Sequence, residues 1–513
     1  MKTHRTQNAT RNIIWGFAYK AIMLLLPFVA RTALLKLLGE KYLGLGGLFG
    51  SILQVLNLAD LGFGTAIVYS MYKPIAEDKT DEICALLSLY KKIYRIVGGG
   101  ILLCGLAIMP FLRNLISGDV PSDVNIYLLY AIYLANTVLS YCMFAYKTSL
   151  LNAHQRNDLI SKTNAVLLLV QYGFQLGLLF TLNNYYAYLI VLPIITVLHN
   201  ILIARLAKKY FPQYICRGSV NVETKKTIKA QVSGLFISKV CGTTRNSLDN
   251  VFLSSFLGLT IVAQYGNYYY LLDAVHGLMT IIGTSLLGGI GDSIAQETEE
   301  KNYADFNKFV FLYAWIGGWC ACCLLCLYQP FMMIWVGGEL IFPFSMMLLF
   351  CIYFYAVAST DIKNVYIDAC GLWWENRKRA ILETLVNFIG NFTLGWLFGV
   401  YGIIIATLIS IVFINNIMGA KILFKYYFRQ HKASIYFMNH LFYFLITALV
   451  STATYLVCNL LPVGGLLTLV VRAFICLILP NILFYLFYSR LPSFVQTKPI
   501  IVQTIRSVLR RTK

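Results

Sequence analysis

Charge is what this chain has least of. Only 12% of its 513 residues are Asp, Glu, Lys or Arg, against 58% hydrophobic, and the mean hydropathy is +0.68. Soluble domains carry about 25% charged residues, so that class is excluded. Also missing is any polar stretch long enough to fold between the apolar ones. Runs of about 20 apolar residues, the length of helix that a roughly 30 Å hydrocarbon core requires, recur through the whole chain. We count fourteen: 13–35, 44–71, 93–113, 124–146, 163–182, 187–207, 232–257, 262–291, 309–329, 342–370, 381–398, 401–424, 438–460 and 466–489. The expectation is an all-α polytopic membrane protein.

Acidic residues are scarcer than basic ones, 22 against 42, which leaves a net charge of +20. Nucleic acid is one reading of such a surplus, but its placement gives another. The loops on the side opposite the N-terminus hold only Lys36, Lys41 and Arg113. Lys20, Arg31, Lys239, Arg245, Lys363 and Arg472 fall within spans away from their cytoplasmic ends, and the remaining Lys and Arg lie in loops or at span ends on the N-terminal side. This is the positive-inside pattern, which puts both termini in the cytoplasm and turns the basic surplus toward anionic lipid. Long outer loops are lacking too: "TLNNYYA" (181–187), "LGLTIVA" (257–263) and "LLPVGG" (460–465) leave nowhere to hold an acceptor, which excludes an enzyme working at the outer face. The apolar run after "MKTHRTQNATRN" leads directly into another span and reads as an uncleaved first helix. Most of the thirteen cysteines sit inside spans as small apolar residues, and "CACCLLC" (320–326) reads as packing because its sequence neighbours are leucines. No metal or cofactor is expected.

Shifting the chain by 219 residues lays Phe17 on Phe236, Lys20 on Lys239, Gly64-Thr65 on Gly283-Thr284 and Ile75-Ala76 on Ile294-Ala295. An offset of six helices starts both halves on the same side, as parallel repeats do. The domain expectation is therefore a first six-helix lobe at 1–215, a second at 216–437, two further helices at 438–490 and a basic tail at 491–513. The two lobes, related by a pseudo-two-fold axis along the membrane normal, would enclose a central cavity.

The seventh span, "ISKVCGTTRNSLDNVFLSSF" (237–256), carries charges that cost about 2.5–3.5 kcal/mol each at a bilayer centre. Helical projection puts Ser238, Lys239, Gly242, Arg245, Asn246, Asp249 and Asn250 within roughly 140° of arc, so this stripe faces protein or a watery cavity. Lys20, Pro27 and Arg31 share a face of the first span, and Pro27 frees the carbonyl of Met23, marking a hinge. Lys20, Arg31, Lys239 and Arg245 are the candidate cationic cavity residues, and such a lining implies a phosphate or pyrophosphate passenger. Asp60, Asp249, Asp273 and Asp361 are the candidate cavity or ion-coupling acids. Arg245 and Asp249, four apart, also suit a structural pair. His276 reads as a satisfied packing residue, and Asp368 and Glu383 as solvated groups near the cytoplasmic interface.

"YLGLGGLFGSILQVLNLADLGFGTAIVYSMYKPIAED" (42–78) resembles the signature of the Wzx-like polysaccharide flippases of the multidrug/oligosaccharidyl-lipid/polysaccharide superfamily. "LDNVFLSSFLGLTIVAQYGNY" (248–268), "DACGLWWENRKRAILETLVNFIGN" (368–391) and "GVYGIIIATLIS" (399–410) agree with it. The resemblance implies movement of an undecaprenyl-pyrophosphate-linked oligosaccharide across a bacterial cytoplasmic membrane, for capsule, exopolysaccharide or O-antigen (lipopolysaccharide) assembly. Glycan polymerase and export proteins are implied partners. A drug/cation antiporter of the same superfamily would share the fold but should offer its cargo carboxylates, and a non-transporting scaffold would turn its charged stripes toward a partner helix.

Overall fold

The computed structural model describes residues 22–23, 25–57, 63–154, 156–460 and 465–498. These are helical, with no strand among the described residues. In chain order the helices are α1 (25–37), α2 (Glu40–Leu56), α3 (Phe63–Ala76), α4 (Thr80–Ile108), α5 (Ile126–Cys142), α6 (Thr148–Ala153), α7 (Asn157–Leu182) and α8 (Tyr185–Tyr210). They continue with α9 (Val222–Leu257), α10 (Leu259–Gln296), α11 (Glu299–Val336), α12 (Phe344–Ala369), α13 (Trp373–Phe398), α14 (Val400–Tyr426), α15 (Ala433–Asn459) and α16 (Gly465–Tyr488).

Ten of the described helices are long and apolar enough to cross a membrane, and each coincides with one of the fourteen expected spans. The other four spans have visible reasons for standing apart. The first and the second lie partly outside the described residues. The fourth is α5, only 17 residues long, and the seventh is α9, continuous over 36 residues but charged along its length. Short connections are set by local chemistry. Between α7 and α8, Asn183 takes a left-handed conformation (φ 46°), and the side chain of Asn184 accepts from the Ala187 amide at 3.1 Å to start the next helix. Asn221 caps α9 through Thr224 N at 2.7 Å, and Thr298 caps α11 ahead of Glu299 and Glu300, two acids suited to a helix N-terminus.

The chain forms two compact units, Met1–Ala263 and Gln264–Lys513. In the first, α2 lies against α9, α4 against α5, and α8 against both α5 and α7. An apolar core runs from Leu34 to Ala263. Gly44 permits the closest approach: a Cβ there would sit 2.2 Å from the Leu259 carbonyl oxygen, so any side chain would push α2 off the start of α10. In the second unit α11 is central, packed on α12, α15 and α16, while α13 and α14 form a tight antiparallel pair. α14 passes through a π-helical segment, Ser410–Met418.

Candidate functional site

The expected site residues divide by what the structure describes. Lys20 and Asp60 lie outside the described residues, and so do the side chains of Lys239 and Arg245. The backbone of α9 is helical throughout, as the stripe requires. Its described polar positions meet α2: Ser247 donates to Gln54 Oε1 at 3.1 Å, and Asn250 Nδ2 donates to Ser51 Oγ at 2.9 Å. Asp249 is buried. Arg31 is half-buried and donates from Nη2 to the Ala263 carbonyl at 3.4 Å, while Pro27 sits in α1 one turn before it. Asp273 is exposed on α10. Asp361 accepts His276 Nε2 at 3.1 and 3.3 Å, so this histidine is more than packing; its partner is an acid 85 positions away.

One sequence-based expectation is overturned. Glu383 is not a solvated interfacial group; it is 5% exposed and pairs with Arg379, 6% exposed, one turn earlier on α13. The two belong to a chain of buried polar contacts. Asn376 Oδ1 accepts from Arg379 Nε at 2.6 Å, Glu383 accepts from Asn415 Nδ2 at 3.0 and 3.1 Å, and Asn415 accepts Lys363 Nζ at its carbonyl (2.6 Å) and at Oδ1 (2.8 Å). Lys363 is 1% exposed. Gly419 makes room for it, since a Cβ there would lie 2.6 Å from Nζ. Asn387 and Asn391 extend the same face of α13: Asn387 Nδ2 donates to Thr407 Oγ1 at 2.9 Å, and Asn391 Nδ2 to Asn387 Oδ1 at 3.3 Å. Arg379, Glu383, Asn387 and Asn391 stand four apart, and that spacing was the signal by which the spine could have been read. The π turn aims Asn415 into the network and Asn416 the other way, onto the Tyr436 hydroxyl at 2.9 Å. π segments are rare and gather at functional places. Asp368, by contrast, is exposed and accepts Trp373 Nε1 at 3.0 Å.

A second arrangement lies in the first unit. A cavity of about 360 Å³ is lined by Lys91 of α4, Tyr146 and Lys147 just before α6, Lys208 at the end of α8, and Phe211, Tyr214 and Cys216 beyond it. Among the described residues, no acidic side chain lines it. Burial lowers the Lys147 pKa, and the neighbouring Lys208 and Lys91 lower it further, against an opposing effect of Cys216. One wall is stiffened by His154, which stacks on Phe211 with ring centroids 4.1 Å apart; burial lowers the pKa of that histidine and favours its neutral form. Three lysines converging on a pocket without an acid make a place for an anion.

Ten described helices long and apolar enough to cross a membrane, with no strand among the described residues, make this a multi-pass membrane protein. The profile of the family "polysaccharide biosynthesis protein" matches residues 9–287, more than half the chain, and the chain belongs to that family. No curated protein matches it. Among solved structures, the chain is similar to an inward-closed lipid II flippase MurJ, at 15% identity and TM-score 0.70, over 93% of this chain and 99% of that one. It is also similar to an inward-facing multidrug resistance MATE transporter of the MOP superfamily (13%, TM-score 0.59, 77% and 92% covered). A third is a MOP superfamily transporter from Pyrococcus furiosus described as having a binding pocket of reversed polarity (13%, TM-score 0.54, 81% and 96% covered). At these identities the likeness establishes the fold.

Proposed function

We propose that this protein is a flippase, carrying an undecaprenyl-pyrophosphate-linked oligosaccharide from the inner to the outer leaflet of a bacterial cytoplasmic membrane by alternating access, with both termini in the cytoplasm. The carrying observation is the acid-free cavity of Lys91, Lys147 and Lys208, which on the positive-inside orientation opens toward the cytoplasm, where the loaded lipid is made. Lysines meet a pyrophosphate with charge-assisted donors, and the aromatic wall of Tyr146, Phe211 and Tyr214 suits the adjoining sugar or prenyl carbons. Family membership supports the glycan pathway, and the fold supports transport rather than chemistry. On this reading the head group passes from the cavity to Lys20, Arg31, Lys239 and Arg245, with Pro27 as hinge and Asp60, Asp249, Asp273 and Asp361 as coupling acids. Glycan polymerase and export proteins would act next.

The test is complementation. Cells lacking the chain should accumulate lipid-linked repeat units at the cytoplasmic face. Wild-type protein should clear them, whereas K91E/K147E/K208E should insert normally and leave them in place. Clearance by the charge-reversed variant at the normal rate would remove the cationic-cavity argument. The partly exposed His276–Asp361 pair, an imidazole hydrogen-bonded to an acid on a fold shared with MATE transporters, favours a cation antiporter as the second reading. Transport of a cationic dye by the purified protein would select it.

A further inference from the structure

The second unit gathers a cluster of thiols for which transport has no use. Cys326 of α11, Cys458 of α15 and Cys476 of α16 are buried, and their three sulfurs lie within 4.8 Å of one another. Cys322 and Cys323 border them, and Cys323 Sγ approaches the Cys476 carbonyl at 3.9 Å. The indole of Trp319 donates to that carbonyl at 2.8 Å, fixing the α16 backbone at the cluster. In sequence the neighbours of Cys326 are leucines, which is why the run reads as packing. The fold supplies what the sequence neighbours lack: Ser451 and Thr454 reach Cys322 from α15, and Arg472 stands one turn before Cys476 on α16.

Arg472 is the second observation. It is 5% exposed, acts electrostatically on Cys458 and Cys476, and has Nε and Nη2 buried without a hydrogen-bond partner among the described residues. A guanidinium in such a place requires negative charge beside it. Three neutral thiols provide none, whereas three thiolates on a metal do.

We propose that Cys326, Cys458 and Cys476 form a trigonal thiolate site for a divalent thiophilic d10 cation of the zinc class. Charge selects the valence: three thiolates (−3), a dication (+2) and Arg472 (+1) sum to zero, the only total a membrane interior accepts cheaply, while a monovalent ion would leave −1. Geometry agrees. Metal–sulfur bonds of about 2.3 Å place three ligand sulfurs about 4 Å apart, so the cluster closes by less than about 1 Å per pair. On binding, three S–H protons leave as three metal–sulfur bonds form, with no electron transferred. The ion would tie α15 and α16 to α11, a clamp between the two C-terminal helices and the second unit's central helix.

The experiment uses the full-length protein, purified in detergent under a reductant that does not bind metal, and titrated with Cd(II) as the spectroscopic probe. The expected result is one equivalent of Cd(II) per chain, with a thiolate-to-cadmium charge-transfer band in the ultraviolet and release of three protons in weak buffer. C326S, C458S and C476S should each abolish the band and weaken binding by more than about 100-fold. C370S, outside the cluster, should change nothing, and R472Q should weaken binding by roughly 10–100-fold, as loss of an outer-shell partner does. Each variant is first shown to be monodisperse, so that misfolding is excluded. The proposal is overturned if wild-type protein gives no band, or if C326S/C458S/C476S binds Cd(II) as wild type does.

Discussion

The buried chain from Lys363 to Asn376 makes a quantitative prediction about Glu383. Its carboxylate accepts from Arg379 and twice from Asn415, and Arg379 and Lys363 are both shut away from water. Glu383→Gln keeps the shape and removes the charge, leaving two buried cations without their compensating acid. Removing one partner of a buried pair costs about 3–5 kcal/mol. For a unit of this size each kcal/mol lowers the thermal midpoint by about 2–4 °C, so a fall of roughly 6–20 °C is expected. Arg379→Met with Glu383→Leu removes that pair's charges and should restore part of the loss, because an apolar pair of similar volume replaces a desolvated ionic one while Lys363 still lacks its acid. The assay is the temperature at which half the detergent-solubilised protein leaves the monodisperse peak in size-exclusion chromatography. Heating rate is held constant, since loss of folded protein is then a rate. A midpoint for Glu383→Gln within about 2 °C of wild type would refute the reasoning, as would a double variant no more stable than the single.

In a cysteine-free background, a cysteine at Asn183 should react with an impermeant thiol reagent in intact cells while one at Lys225 should not; equal labelling would contradict the fourteen-span topology. Pro27→Ala should leave insertion intact but bias one access state, seen as a changed cross-linking pattern and slowed export; unchanged values of both would remove the hinge. With a cargo of about two negative charges, a membrane potential of 100 mV, negative inside, favours outward transfer by about 4–5 kcal/mol. A potassium-diffusion potential should therefore accelerate flipping in proteoliposomes without any pH or sodium gradient, and a rate indifferent to voltage would exclude the electrophoretic drive. K239E/R245E should abolish flipping in the same vesicles, whereas wild-type transport by that variant would remove the cationic site.

What the chain revealed before folding was what depends on length and local chemistry. A run of about 20 apolar residues has one way to cross a bilayer, so ten long helices appear where hydropathy put them. The Asn183-Asn184 turn and the caps at Asn221 and Thr298 are equally local. Glu383 reads in the sequence as a solvated interfacial group because nothing along the chain shows which helix covers it; the fold closes α14 over that end of α13. The four-residue spacing on α13 was legible; its completion by Asn415, from a π turn on another helix, was not. Nor was the meeting of His276 with Asp361, since hydrophobic periodicity gives the face of a helix but not the helix that will cover it.

The π segment has a consequence for how the second unit can move. Such a segment holds a surplus residue that an α-helix has no place for, and a surplus can be handed along a helix like a wrinkle along a carpet. Each step of that kind turns the stretch it passes by about 100° and advances it by about 1.5 Å, with only one or two hydrogen bonds exchanged at a time. Here the wrinkle is pinned from both sides, by Glu383 and Lys363 on Asn415 and by Tyr436 on Asn416. Weakening either grip frees it to travel, and Gly419–Tyr426 would then rotate without the helix breaking. The buried charges are thus a brake on a helix that carries its own means of turning.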